Sequence, residues 1–176
     1  MMVPRVYGIG DLSQILDDRA YTQARFILSA MGDDLGFVPT AAHRQAVESV
    51  TTHGFVLLLG DPASGKSTIA AILALGALDE GSSGAIRITS PDQLERWNPS
   101  EKQFLWVDDA FGPNQYDPNK VDGWNAQLPL LRAAVKKGAS IVFTSRNYIW
   151  EAARFSSSVT RFRLNLDDLP GADSSF

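Results

Sequence analysis

The 176-residue chain has no cysteine and only 2 histidines, His43 and His53. That excludes disulfide frameworks, thiolate nucleophiles, cysteine-ligated zinc and histidine-rich metal centres. Positive charge is scarce as well: 16 Lys and Arg stand against 20 Asp and Glu, a net charge of −4. Binding driven by counterion release from phosphates needs the opposite balance, so nucleic acid is not indicated as a partner. No apolar run approaches the roughly 20 residues that span a bilayer. Met1 to Leu12 also lacks the charged-then-apolar layout of a secretory signal. These absences predict a soluble, cytoplasmic chain with no membrane partner. Apolar residues are plentiful, at 44% of the chain against 20% charged, which is enough for a single core.

Asp11 is followed three residues later by Gln14, and Leu16, Ala20, Ala24, Ile27, Leu28 and Met31 then share one stripe before Gly32, the pattern of an amphipathic helix. Thr40 is placed to cap a second helix bearing Ala46, Val47 and Val50, with Gly54 at its end. Beyond Gly54 the pattern changes. Short apolar or β-branched runs at 55–59, 85–89, 104–107, 140–144 and 162–166 alternate with helical patterns over 67–78, 91–97, 123–137 and 147–154. This alternation predicts an α/β fold with a parallel five-stranded sheet sandwiched by helices. Pro129 predicts that the 123–137 helix begins late or kinks. Residues 112–122, rich in Pro, Asn and Asp, read as the longest loop. The chain divides into an N-terminal helical extension, residues 1–36, and a core, residues 37–176.

Leu57, Leu58 and Leu59 run into Gly60, Asp61, Pro62, Ala63, Ser64, Gly65, Lys66, Ser67 and Thr68, and an apolar helical stretch follows. Strand, G-x-x-x-x-G-K-[ST] and helix in that order describe a P-loop. Its glycines allow successive N–H groups to turn inward and its helix end adds partial positive charge, so Gly60 through Thr68 are predicted to cradle a polyphosphate. Lys66 is expected to reach the β- and γ-phosphates and the Ser67 hydroxyl to ligate Mg²⁺. The run 104–107 finishes in two carboxylates. Asp108 is assigned to the Mg²⁺ shell and Asp109 to accepting a proton from the attacking water. The strand at 140–144 delivers Thr144, Ser145 and then Arg146 to the edge where ligands sit in open parallel sheets. Arg146 is read as sensing the γ-phosphate and stabilising charge during transfer, so the catalytic set is Asp109, Lys66 and Arg146.

Two further strings imitate a GTPase. Asp109 to Gly112 reads D-x-x-G and Asn119 to Asp122 reads N-K-x-D. The second lies in a polar, proline-bearing segment with no strand to hold it rigid, so ATP is preferred over GTP. Trp97, Trp106, Trp124, Trp150, Tyr116 and Tyr148 read as core or helix-packing aromatics. His43 and His53, flanking the second helix, read as solvated or capping residues. Phe37, Val38, Pro39 and Thr40 are rigid and apolar enough either to line a base pocket or simply to pack.

The segments GDPASGKST, FLWVDDAFG, QYDP with WN after it, and FTSRNYIWEAAR resemble the STAND class of P-loop NTPases, specifically the novel STAND subgroup three, over roughly Phe37 to Arg154. The resemblance implies a sheet of ASCE type, with the 140–144 strand between the P-loop strand and the 104–107 strand. It also implies Lys66 and Ser67 on phosphate and metal, Asp108 and Asp109 as a Walker B pair, and Arg146 as the sensor. STAND proteins usually act as ATP-dependent switches, oligomeric in one nucleotide state and joined to effector and sensor domains. Several relatives serve in bacterial defence. This chain ends at Phe176 before any lid, effector or sensor segment, so an excised module or a partner protein with slow hydrolysis is expected.

The leading expectation is therefore an ATP- and Mg²⁺-binding switch. A small-molecule P-loop kinase is one alternative, disfavoured because residues 112–122 carry no arginine to close over an acceptor. A scaffold that holds nucleotide without hydrolysing it is the other.

Overall fold

The computed structural model describes residues 40–155. The expected N-terminal helix, Phe37 to Pro39 and the run at 162–166 lie outside the described residues.

The first helix, α1 (Ala41–His53), begins where Thr40 Oγ1 accepts a hydrogen bond from the His43 amide at 3.1 Å. It ends at Gly54, whose φ of 71° suits glycine and where a Cβ would come within 2.9 Å of Val135 Cγ1. The chain then alternates: β1 (Phe55–Leu59), α2 (Lys66–Asp79), β2 (Gly84–Ile88), a 3₁₀ segment (Pro91–Arg96), β3 (Gln103–Val107), α3 (Pro118–Lys136), β4 (Ser140–Ser145) and α4 (Asn147–Phe155).

All strand pairs are parallel, in the order β1-β4-β3-β2. β4 thus separates β1 from β3, as the family resemblance implies. Among the described residues the sheet has four strands, not the expected five. Burial on both faces explains why the strands read as continuous apolar runs. Phe55, Leu57 and Leu59 pack with residues of α3 and α4, whereas Val56 and Leu58 pack with α2 and Ala46 of α1. Phe143 of β4 centres the first layer, its ring 5.0 Å from that of Trp124 and 5.4 Å from that of Phe55.

Several expectations need correction. α3 starts at Pro118, five residues before the predicted start, and runs through the exposed Pro129 without ending. Its start is set by Asp117, which accepts from the Asn119 amide at 3.0 Å, with Pro118 at the first helical position. The expected long loop therefore shrinks to residues 112–117, and Asn119, Lys120 and Asp122 lie on a helix. The segment at 91–97 is 3₁₀ rather than α-helical. His43 is buried, not solvated, and Tyr148 is half exposed rather than packed. The four tryptophans are buried as expected.

Candidate nucleotide-binding site

Because every strand points the same way, the segments leaving β1, β3 and β4 emerge along one edge of the sheet. The first carries residues 60–65, the second Asp108 and Asp109, and the third Arg146.

The P-loop is shaped by its own close contacts. A Cβ at Gly60 would lie 2.4 Å from Ser64 Oγ, and Gly65 takes a φ of 87°. Ala63, with a φ of 61°, holds a left-handed conformation that costs a non-glycine residue free energy. The loop closes through Ser64 N–H to the Asp61 carbonyl at 3.2 Å. Gly65 then leads into α2 with no side-chain cap, in contrast to Thr40 and Asp117 at the starts of α1 and α3. The partial positive charge at this end of α2 suits an anion.

Lys66 folds back over this loop, its Nζ donating to the Gly60 carbonyl at 2.9 Å, the Asp61 carbonyl at 2.7 Å and Ser64 Oγ at 3.2 Å. Burial pushes the Lys66 ammonium below its usual range, and the Arg146 charge adds to that. Asp109 opposes the shift most among the acids, ahead of Asp61 and Asp108.

The two adjacent acids differ in environment. Asp108 is buried, with Oδ1 accepting from the Thr144 hydroxyl at 2.8 Å and Oδ2 accepting from Arg87 Nη2. Asp109, half-buried with a φ of 48°, has its N–H bonded to Thr144 Oγ1 at 3.1 Å and its carbonyl bonded to Lys120 Nζ at 3.3 Å. Burial pushes the Asp109 carboxyl above its usual range, and the Asp108 charge pushes the same way. Arg146, Lys120 and Lys66 pull it back. A carboxyl held up while facing three cations is suited to proton transfer.

Arg146 donates from Nη1 to the Tyr148 hydroxyl at 3.0 Å and from Nη2 to Asn114 Oδ1 at 3.2 Å, while that hydroxyl donates to the Asn114 carbonyl at 2.9 Å. The guanidinium is thus tied to residues 112–117 within the electrostatic reach of Lys66 and Asp109. Lys66, Asp109 and Arg146 lie within electrostatic reach of one another beside Asp108, and three other residues contact the two acids. In the sequence Thr144 is only a hydroxyl at a strand end; its position one residue past the Val107–Phe143 pair gives it its partners. Arg87 has one signal in the sequence, a lone charge in an otherwise apolar run. Lys120 stands in the sequence only as part of the N-K-x-D string, yet it supports the Asp109 backbone.

Ser67 is exposed at the start of α2, and each Asp108 oxygen has a second lone pair beside the hydrogen bond it accepts. Among the described residues no group of three or more His, Asp or Glu gathers to hold a metal. Few protein oxygens supplemented by water and phosphate are the donors Mg²⁺ takes, so Ser67 and Asp108 fit a Mg²⁺ that arrives with nucleotide.

A cavity of about 730 Å³ among the described residues lies elsewhere, at the opposite edge of the sheet between α1 and α2, lined by Val47, Leu73 and Lys102 among others. No helix of the described residues is long and apolar enough to cross a membrane.

No curated protein matches the chain. Among solved structures, PCH-2 of C. elegans aligns over 98% of this chain and 46% of its own, at 15% identity and a TM-score of 0.41. The chain therefore spans less than half the length of that protein. The family model for novel STAND NTPase 3 matches residues 37–169. With P-loop, paired acids and Arg146 on one edge of a β1-β4-β3-β2 sheet, and with that match covering most of its length, the chain belongs to the novel STAND NTPase 3 family.

Proposed function

We propose that the protein is an ATP- and Mg²⁺-binding switch module that hydrolyses ATP slowly. The observation that carries this reading is the insertion of β4 between β1 and β3, which brings Arg146 and Thr144 beside both the P-loop and the acid pair. In this reading residues 60–68 hold the phosphates and Lys66 exchanges its three loop acceptors for β- and γ-oxygens. Ser67 and Asp108 hold Mg²⁺, which when bound draws charge from the phosphates. Asp109 takes the proton of the attacking water, its raised affinity for protons favouring that role. Arg146 leaves Tyr148 and Asn114 to bind the γ-phosphate, so residues 112–117 and the start of α4 rearrange with nucleotide state.

Adenine over guanine is supported by the placement of Asn119, Lys120 and Asp122 on α3, with Lys120 occupied at Asp109. The absence of arginine from 112–117 weighs against a kinase, and the environment of Asp109 weighs against an inert scaffold. Nucleotide-dependent self-association, attached or partner effector and sensor domains, a cytoplasmic setting and a role in bacterial defence or signalling complete the proposal, resting on the STAND resemblance.

The test is purified protein incubated with ATP or GTP, followed for bound nucleotide, phosphate release and particle mass. ATP binding with slow phosphate release and a mass that differs between ATP and ADP supports the switch. Tight binding without release favours the scaffold, and no binding contradicts the proposal.

A further inference from the structure

The one charged residue of β2 sits on the acid assigned to the metal. Arg87 pairs in register with Trp106, so Asp108, two residues further along the same face, is its diagonal neighbour across β2 and β3. Its Nη2 donates to Asp108 Oδ2, and its guanidinium carbon lies 5.1 Å from the centre of the Trp106 ring. Its Nε is buried with no hydrogen-bond partner, and the Asp108 side chain is only 11% exposed. The contact is therefore a built one, fixed by strand register and by a stacking ring rather than by two mobile surface side chains.

A partly buried carboxylate already paired with a guanidinium has little net field left for a second cation. Asp109, the other acid, faces Lys66, Lys120 and Arg146. Neither acid thus offers an uncompensated charge to a free divalent ion. A nucleotide changes the balance because its phosphates bring several negative charges to the P-loop.

We propose that Arg87 is the resident counter-cation of Asp108 and makes divalent-metal binding conditional on bound nucleotide. Arg87 acts through Asp108 and touches no reacting atom, so it is a positioning residue. The inference rests on the proposed role of Asp108 in the Mg²⁺ shell, but its test needs no turnover.

The test is a titration with Mn²⁺ as the probe, free ion being counted by electron paramagnetic resonance, on the wild-type chain and on Arg87→Gln, with and without ADP. Wild type is expected to take up no Mn²⁺ alone at concentrations where it takes up one ion with ADP. Arg87→Gln is expected to bind Mn²⁺ without nucleotide at least about tenfold more tightly than wild type, since a unit positive charge has left the immediate neighbourhood of the ion. Adding Asp108→Asn to that variant should abolish the gain. A merely structural role for Arg87 would weaken metal binding or leave it unchanged, and either result overturns the proposal. Uptake of Mn²⁺ by nucleotide-free wild type overturns it as well, without recourse to any variant. Should Arg87→Gln fail to fold, Arg87→Lys keeps the charge and is expected to exclude nucleotide-free Mn²⁺ as wild type does; uptake by the Lys variant contradicts the proposal. Failure of wild type to bind Mn²⁺ with ADP would instead strike the assigned nucleotide and metal site, a result read from a different arm of the experiment.

Discussion

Thr144 reaches across from β4 to Asp108 just past the end of β3, its hydroxyl donating to Asp108 Oδ1 at 2.8 Å while its own Oγ1 accepts the Asp109 N–H at 3.1 Å. One side chain thus fixes the rotamer of the first acid and the backbone of the second.

Replacing Thr144 with Val keeps the shape but removes both bonds. The buried Asp108 oxygen then loses a donor and the Asp109 N–H an acceptor. A loss of about 1–3 kcal/mol for each group left unsatisfied is expected, with Thr144→Ser recovering most of it. Urea unfolding of the three proteins checks this; equal stability of the Val variant would mean that water replaces the hydroxyl without penalty.

Gly60 and Ser64 are coupled by contact, since a Cβ on Gly60 would meet Ser64 Oγ at 2.4 Å and Ser64 Cβ at 3.3 Å. Gly60→Ala should therefore distort the loop and weaken ATP binding at least about tenfold, or 1.4 kcal/mol. Adding Ser64→Ala removes the nearer atom and should restore part of that affinity. Additive losses in calorimetric titrations of the double variant would place the damage elsewhere.

Much of this site was legible in the sequence because its parts are local. The P-loop is one continuous string between a strand and a helix, and Asp108, Asp109 and Arg146 each follow an apolar run directly. What was not legible depends on neighbours distant in the chain. Arg87 acquires its role from a register with β3, and Lys120 from the way α3 brings its first turn under Asp109. The Pro, Asn and Asp content of residues 112–122 reads as a loop and hides the start of α3, where Asp117 and Pro118 are a helix-start signal; tertiary packing of Val121, Trp124, Leu128 and Leu131 then carries the helix past Pro129. Tyr148 reads as a packing residue, and only the fold shows its hydroxyl between Arg146 and Asn114.

Arg146 is expected to distinguish ATP from ADP. Its guanidinium offers forked donors to phosphate oxygens that ADP lacks, so Arg146→Ala should reduce the preference for ATP by about 1–3 kcal/mol. Tyr148→Phe, which releases one partner of the guanidinium, should alter that preference less. Equal losses for both nucleotides in the Ala variant would make Arg146 a general binding residue.

His43 gives the fold an acid limit. Burial, with the neighbouring Arg44 charge, holds its imidazole below the usual value of 6.5. Below about pH 6.5 the unfolded chain takes up a proton that the folded chain resists, so this contribution to stability is present above that pH and is lost as pH falls through the folded value. His43→Gln should flatten that part of the stability profile whatever it does to absolute stability. Parallel profiles of wild type and variant between pH 7 and pH 5 would remove His43 from the account.

The central claim, that residues 60–68 bind the phosphates of ATP, is tested most directly by calorimetric titration of ATP, with Mg²⁺ present, into wild type and Lys66→Ala. The account predicts saturable binding to wild type and a loss of about 1.5–3 kcal/mol in the variant, the worth of a charge-assisted contact to the β- and γ-oxygens. Circular dichroism should show the same fold for both. Unchanged ATP affinity in a folded Lys66→Ala protein would contradict it.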